Sequence, residues 1–566
     1  MYFIYYRLVV FIFIFAVLAA GNVFAQTEVT PTVPGPADPA RIEHEVPLSP
    51  ELLNKKLAPS VTAPSNKLDV PEGAEKKYFL LKSLLIDGAT AFSPEELSVP
   101  FANCIGQSVT LADVYAIAEA ISARYVDAGY FLSRAVINDR NIKNGVVHIE
   151  VIEGYVKEVI LTDDTQDNYV LRAYVDRIRR EKPLTSVTLE SNLLRMNDLP
   201  GQSFRAVLSA LPGGEKGASS LTLIPQTTSV DASAGFDNSG SKFLGPHELN
   251  ASVGGSIIPL NQTSFYGLTS TDPDQLNFAS VHNSFVVMPD TILNIDAGVT
   301  RAHPVHTLEA LDIDSLAINA GMNVKYQWMR QRHENLSTTL YFDTRQVTSD
   351  ILGTPLTREQ VRALRFGLSY DRVDDWLGSN IANIKISQGL NILGASQEGD
   401  INLSRAEATP DFTKVEISFA RLQEITSDWS VLGKFSGQLA SGPLYSSEEF
   451  GYGGEGFGRA FDSSELVGDH GFATGFEVRY GGIRSLKPVN FEPYAFFDYG
   501  SVFNDDFSQV KSDSAASAGI GMRFATEWGQ SGNIGLAMPI NHSVLAPLYG
   551  NDRYFPRFMM QFNQKF

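Results

Sequence analysis

An arginine inside a glycine-rich run is a common way to cradle phosphate. The stretch 451-GYGGEGFGRAFDSSELVGDHG-471 contains a literal G-x-G-x-x-G at Gly451, Gly453 and Gly456, followed by Arg459. Such a cradle aims the free amides of a helix N-terminus at the anion, so it needs a strand before it and a helix after it. Neither pattern flanks this stretch. It reads instead as a long glycine-rich loop carrying one cation, Arg459, near Phe457 and Phe461, and a plain surface loop is the simplest version of that reading. A counter-charge lies further on, in 491-FEPYAFFDYGSVFN-504, where a period of two puts Glu492, Tyr494, Phe496, Asp498 and Gly500 on one face. Other chemistry is poorly supported. The 9 histidines are scattered, no H-E-x-x-H or Ser/His/Asp array is present, and Cys104 is the 1 cysteine, which excludes an intrachain disulfide and a thiolate metal cluster. No catalytic residue, metal or cofactor is assigned.

The elements that would position Arg459 and Asp498 follow from the rest of the chain. At 566 residues several domains are expected. The net charge of −19 argues against a nucleic-acid partner, which needs a basic footprint. Residues 1–25 carry Arg7, an apolar run and the small-residue site Val23-Phe24-Ala25, and read as a signal peptide cut after Ala25. Residues 26–76 are Pro-rich and read as a linker. Asp38-Pro39 and Ser49-Pro50 each place an N-cap residue before a proline that can start a short helix.

A β-α-α-β-β unit then appears twice. The first, 77–153, has a strand over 79–88, a short helix over 94–101 and a helix opened by Thr110 and Asp113, followed by strands over 133–139 and 145–154. On the long helix Val114, Ile117, Ala118, Ile121 and Tyr125 share a face. The second unit, 154–226, has strands over 155–164, 203–211 and 219–226 around helices over 169–181 and 186–199. This repetition marks tandem modules.

Beyond Gln226 strands dominate. In 364-LRFGLSYD-371 apolar Leu364, Phe366, Leu368 and Tyr370 alternate with polar residues, and the same period recurs in 414-KVEISF-419 and 476-FEVRY-480. A soluble sandwich also alternates. The number of such segments, their aromatic ends and the final 558-FMMQFNQKF-566 favour a transmembrane antiparallel β-barrel over 227–566, with about 16 strands. Phe566 ends the last strand as an outer-membrane assembly signal would. A barrel of this size encloses more lumen than side chains fill.

Within such a barrel, lipid on the side of Pro493, Ala495, Phe497 and Tyr499 turns Asp498 inward. Lumen charges are costly unless paired, so the loop is expected to fold inward with Arg459 on Asp498, Glu477 and Asp371 being alternative partners. Removal of either partner is then expected to cripple the protein, and reversal of both charges to restore it in part.

These residues resemble a known family. The segments 111–137 and 141–154, and 183–201, are similar to the two POTRA domains of two-partner secretion transporters, the TpsB family of the Omp85 superfamily (ShlB/FhaC/HecB-type haemolysin secretion/activation proteins). The segment 236-FDNSGSKFLGPHEL-249 resembles the start of that family's barrel. Gly458, Arg459, Ala460 and Phe461 resemble its V/G-R-G-Y/F loop tip, and Phe496, Asp498 and Gly500 its F-x-D-x-G strand motif, which holds the tip. Ala460 stands where the family has glycine, and 39-PARIEHEV-46 is the short candidate for its barrel-plugging helix. The resemblance implies an outer-membrane pore with periplasmic POTRA modules that passes one large, unfolded, β-helical exoprotein (TpsA-type) to the surface without ATP. Its other partners would be outer-membrane lipids and, through Phe566, the barrel assembly machinery. An Omp85-type insertase and a passive porin remain alternatives: the first would normally carry more than two modules, and the second leaves the modules unexplained.

Overall fold

A computed structural model describes residues 33–41, 61–62, 70–99, 101–137, 144–162, 168–211, 213–226, 230–256, 258, 260–481, 488–505, 510–548 and 552–566. The expected signal peptide over 1–25, the Ser49-Pro50 helix start and the second half of the 39–46 segment lie outside these residues. The first described strand is a two-residue piece of the linker, β1 (Val61–Thr62).

The first module contains β2 (Tyr78–Leu80), β3 (Ser83–Asp87), α1 (Pro94–Ser98), β4 (Ser108–Thr110), α2 (Leu111–Asp127), β5 (Arg134–Ile137) and β6 (Val146–Ile152). The strand expected over 79–88 is broken after Leu80. Leu81 turns fully into the core, β2 pairs with β4, and β3 joins the main sheet in the order β3-β6-β5. Three residues are too few to reveal a period, which is why β4 was invisible in the sequence. α2 opens with a capping box: the Thr110 hydroxyl accepts from the Asp113 amide at 3.1 Å, and the Asp113 carboxylate accepts from the Thr110 amide at 2.7 Å. Its apolar face, Val114, Ile117, Ala118, Ile121 and Tyr125, is buried against the sheet.

Glu153 ties this module together. Its carboxylate accepts from the amides of Thr90 (2.7 Å) and Ala91 (2.8 Å), the Thr90 hydroxyl, and the Tyr125 hydroxyl (2.8 Å). Partial burial raises the carboxyl's pKa, but the accepted hydrogen bonds together outweigh it and hold the group below the ordinary 4.5. A depressed carboxylate stabilises the fold above its unfolded pKa and loses that contribution as pH falls through the folded value. The first module is therefore expected to lose stability as pH drops below 4.5. Glu153→Gln is expected to remove roughly 1–2 kcal/mol at neutral pH and flatten that acid limb, as read by thermal melts across pH.

The second module holds β7 (Tyr155–Leu161), α3 (Tyr169–Arg180), α4 (Ser186–Asn197), β8 (Phe204–Ala210) and β9 (Ala218–Pro225). Its sheet runs β1-β8-β9-β7, so the linker strand extends the module's own sheet, parallel to β8. The modules are joined closely. Ser186 of the second donates to the Gly129 carbonyl of the first, while Phe131 and Leu132 of the first module pack on the core of the second.

Sixteen antiparallel strands, from Val230–Asp237 to Arg557–Lys565, close into a barrel. Closure runs over five paired positions, Ser233↔Lys565 to Asp237↔Gln561. Asn238 extends this seam: its side chain donates to the Phe558 carbonyl (2.8 Å) and accepts from the Met560 amide (2.7 Å). Outward positions such as Phe366, Phe419, Phe476 and Phe497 are apolar and exposed, as lipid contact requires. The strands Ile313–Arg330, Glu334–Ile351 and Thr354–Val373, of 18, 18 and 20 residues, are well beyond the ~10 that a membrane needs, so these hairpins stand proud of it.

The second module docks on the turns at one end of the barrel. Asp290 accepts from Arg177 at 2.7 Å and from Arg195, and its amide donates to the Tyr174 hydroxyl at 2.9 Å. Arg330 reaches Asp198 with a 3.0 Å bond, Arg332 reaches Glu190 at 2.8 Å, and Val286 from the barrel enters the module's apolar core. Burial pushes the Tyr174 hydroxyl up to about 12, which keeps it neutral as an acceptor. Because strand direction alternates, the turns at 374–377, 425–428 and 527–529 lie at this same end. All four tryptophans, Trp328, Trp376, Trp429 and Trp528, sit at this rim and are exposed.

Candidate functional site

The loop between the strands Trp429–Ala440 and His470–Tyr480 folds back into the barrel. A small hairpin gives it form, Phe450–Tyr452 pairing with Leu466–Gly468. The G-x-G-x-x-G falls within it and no helix follows: Gly453, at φ 128°, lets the Asp462 carbonyl approach where a side chain would collide. The glycines thus serve a tight reversal and not an anion.

Arg459 is at the tip. Its Nε donates to Asp498 at 3.0 Å, its Nη2 to the other Asp498 oxygen at 3.2 Å, and its Nη1 to Glu477 at 2.7 Å. The amides of Gly458 and Arg459 also donate to Asp498, which is fully buried. The guanidinium lies 3.7 Å above the Phe496 ring centre. The structure therefore brings Arg459, Asp498, Phe496 and Glu477 to one point, with Glu477 added to Asp498 and not replacing it. Asp371 is elsewhere, on the wall near the docked module, accepting from Asn335 at 2.7 Å.

From this point charges descend the wall. Glu477 also accepts from Arg479 (2.6 Å) and from both Nη atoms of Arg523 (2.7 and 3.0 Å), and Arg523 reaches Glu492 at 3.2 Å while covering Tyr494. Three arginines and three carboxylates alternate in sign, so each buried charge has a partner.

Aromatic–glycine fits hold the rest of the tip. Phe461 is fully buried among Tyr452, Leu466, Tyr494, Phe496 and Val544. A Cβ on Gly500 would lie 2.1 Å from the Tyr452 ring, and one on Gly458, whose φ is +78°, 2.8 Å from the same ring. The left-handed position is thus Gly458; Ala460 has no positive φ and packs its methyl into the apolar cluster, so alanine there forfeits no glycine-only angle.

Sequence reasoning missed a further set of anchors. Loop residue Glu448 pairs with Arg365 (2.7 Å) and Lys414 (2.9 Å), Asp469 and Glu449 with Arg405, and Asp462 with Arg557 (2.6 Å). The signal was present in the loop's acidic pairs, 448-EE-449 and 462-DSSE-465, facing arginines on the polar faces of strands.

Residues 33–41 also lie within the barrel. Ala37 packs on Phe243, Leu276 and Ala546, Ala40 on Ala317 and Val347, and Arg41 pairs with Glu449 at 3.5 Å. Arg345 donates to the Ala40 carbonyl at 2.8 Å. This short piece therefore contacts both the wall and the inward loop.

The sequence profile of the haemolysin secretion/activation protein ShlB/FhaC/HecB family matches residues 217–524, more than half of the chain. The chain belongs to this family. A ShlB-type POTRA profile matches residues 79–154. Similar curated proteins are the outer membrane transporter CdiB of Dickeya dadantii strain 3937, 22% identical over 82% of this chain and 83% of that one, and the heme/hemopexin transporter protein HuxB of Haemophilus influenzae strain 86-028NP, 21% identical over 89% and 90%. Among solved structures, CdiB from Escherichia coli aligns with a TM-score of 0.66 at 18% identity, covering 89% of this chain and 93% of that one; at this identity the match speaks for the fold alone. As a ShlB/FhaC/HecB-type protein the chain is an outer-membrane two-partner secretion transporter with its POTRA modules in the periplasm. Transporters of this kind pair with secreted TpsA-type exoproteins. Its class is that of a secretion pore and not a known class of enzyme.

Proposed function

We propose that this chain accepts one large exoprotein in an unfolded state on its periplasmic modules, threads it through the barrel and releases it to fold outside, with no nucleotide consumed. The observation that carries this reading is a barrel interior occupied by two pieces of the chain itself, the inward loop and residues 33–41. Buried ion pairs tie the inward loop to the wall and Arg41 to the loop, beside the apolar clusters around Phe461 and Ala37. Such pairs can exchange partners with a passing polar chain, whereas a close-packed core cannot. An extended client would add to a module's sheet edge through backbone hydrogen bonds, which read shape more than sequence. Folding outside then supplies the direction of travel. Arg459, Asp498, Glu477 and Phe496 would fix the resting loop. Phe558 and Phe562, which face outward, together with the final Phe566, fit recognition by lipids and by barrel assembly machinery.

Co-expression with a candidate TpsA-type exoprotein tests the reading. Full-length transporter is expected to release it into the medium, and removal of 78–226 to leave an inserted, conducting barrel that exports nothing. Release without those residues would end the proposed role of the modules. Faster insertion of other barrels with no exoprotein released would favour the insertase reading.

A further inference from the structure

On the barrel strand Leu276–Met288 a period of two gives His282, Ser284 and Val286 one face, and the next strand, Thr291–Ala302, sets Asp296 opposite His282 and Asn294 opposite Ser284. That face is the lumen side: Phe278, of the same set, pairs with Leu268, which packs in the cluster around Ala37 within the barrel. His282 Nδ1 bonds to Asp296 Oδ1, and His282 Nε2 lies 2.9 Å from Ser284 Oγ. The Ser284 hydroxyl also reaches Asn294 at 2.7 Å, Asn294 donates to Asn323 at 2.7 Å, and Asn323 donates to the second Asp296 oxygen at 3.4 Å. These side chains close a ring that includes the imidazole. His282 and Asp296 are 45% and 40% exposed, so the ring opens on the lumen. Beside it an open cavity of about 780 Å³ between barrel and second module is lined by Gln262, Val286 and Ile292, and Gln262 is the register partner of Ser284. The expectation that the chain lacks a Ser/His/Asp array therefore holds for its sequence spacing and fails in the fold, where one hairpin assembles all three members.

We propose that Ser284, His282 and Asp296 form a hydrolytic site on the lumen wall, separate from export, whose substrate is a carboxylic ester entering from the periplasmic cavity. A hydroxyl within reach of an imidazole that a carboxylate orients is the arrangement that activates a serine nucleophile. Asp296 holds the Nδ1 proton, and Nε2 takes the Ser284 proton when the hydroxyl turns from Asn294 to the ring. Oγ bonds to the carbonyl carbon, the C–O bond to the alcohol breaks, and the alcohol leaves with the proton from Nε2. Water then attacks the acyl-serine, passing one proton through Nε2 back to Oγ as the carboxylic acid departs. Esters are favoured over amides. Leu276–Met288 is paired on both sides, so its amides are committed to the ladders and not to an oxyanion at Ser284. An ester, with its better leaving group, needs less of that stabilisation.

The probe is a biotinylated fluorophosphonate, which bonds to a serine that a neighbouring base activates. It is applied to the detergent-solubilised full chain, the adduct is located by peptide mass spectrometry, and turnover of p-nitrophenyl acetate is read beside it. An adduct on Ser284 is expected. Ser284→Ala is expected to remove both adduct and turnover, and His282→Gln to slow both about a hundredfold. Asp296 positions the imidazole, so Asp296→Asn is expected to slow both and Asp296→Glu to recover part of the rate. Heat-modifiable migration on gels checks that each variant still closes its barrel. No adduct on Ser284, or ester turnover that is nil or equal in wild type and Ser284→Ala, would overturn the proposal. Neither readout involves release from cells, so this inference and the export reading can each fail without the other.

Discussion

Arg459→Ala is expected to abolish export while the barrel still inserts in the outer membrane and closes. The substitution takes from fully buried Asp498 the guanidinium that donates to both its oxygens, and from Glu477 one of its three arginines. Leaving a buried charge unpaired costs on the order of 3–5 kcal/mol. Protease accessibility of the loop from outside the cell, beside immunoblots of the medium for the exoprotein, reads the two consequences separately. Export at the wild-type level would sink the idea. The geometry also alters the charge-reversal expectation. With Arg459→Asp and Asp498→Arg together, the new aspartate faces Glu477, still hydrogen-bonded by Arg479 and Arg523, and the new arginine faces Lys434, whose stem lies beside Asp498. Like charges meet on both sides, so the double reversal is expected to rescue little.

The second large effect lies at the docking surface. Asp290→Ala is expected to free the second module from the barrel rim. The substitution leaves Arg195, only 10% exposed, without its carboxylate, and removes the acceptor of Arg177. Part of that charge recovers solvent, so roughly 1–3 kcal/mol is the expected loss. Limited proteolysis between module and barrel is expected to accelerate and export to fall, with single-channel conductance retained. Unchanged proteolysis would show that Val286 and its apolar neighbours hold the module without the ion pairs.

The tandem modules, the barrel and the meeting of Arg459 with Asp498 were legible because each depends on a local period. Residues two apart on a strand share a face whatever the rest of the chain does, and α2 announced itself through its capping box. Where sequence reasoning failed, the determinant was long-range. β1 is two residues whose pairing depends on a strand almost 150 positions away, and nothing in Val61 or Thr62 distinguishes them from other linker residues. The anchoring of Glu448 by Arg365 and Lys414 follows from how deeply the loop enters, which no spacing encodes. At Ala460, where the family has glycine, the backbone is ordinary; the left-handed position of the tip is Gly458, and which of two neighbouring residues carries it is not encoded in their spacing.

The placement of Trp328, Trp376, Trp429 and Trp528 at a single rim gives the protein a built-in optical probe. Indole emission from the reconstituted protein arises entirely from the barrel rim on which the second module is seated, so quencher-bearing acyl chains dim it only when placed in the periplasmic leaflet. The Trp328 carbonyl accepts from Arg195, so undocking of the second module changes the surroundings of one of the four emitters directly. Movement of the modules can therefore be followed by fluorescence in real time without attaching a dye.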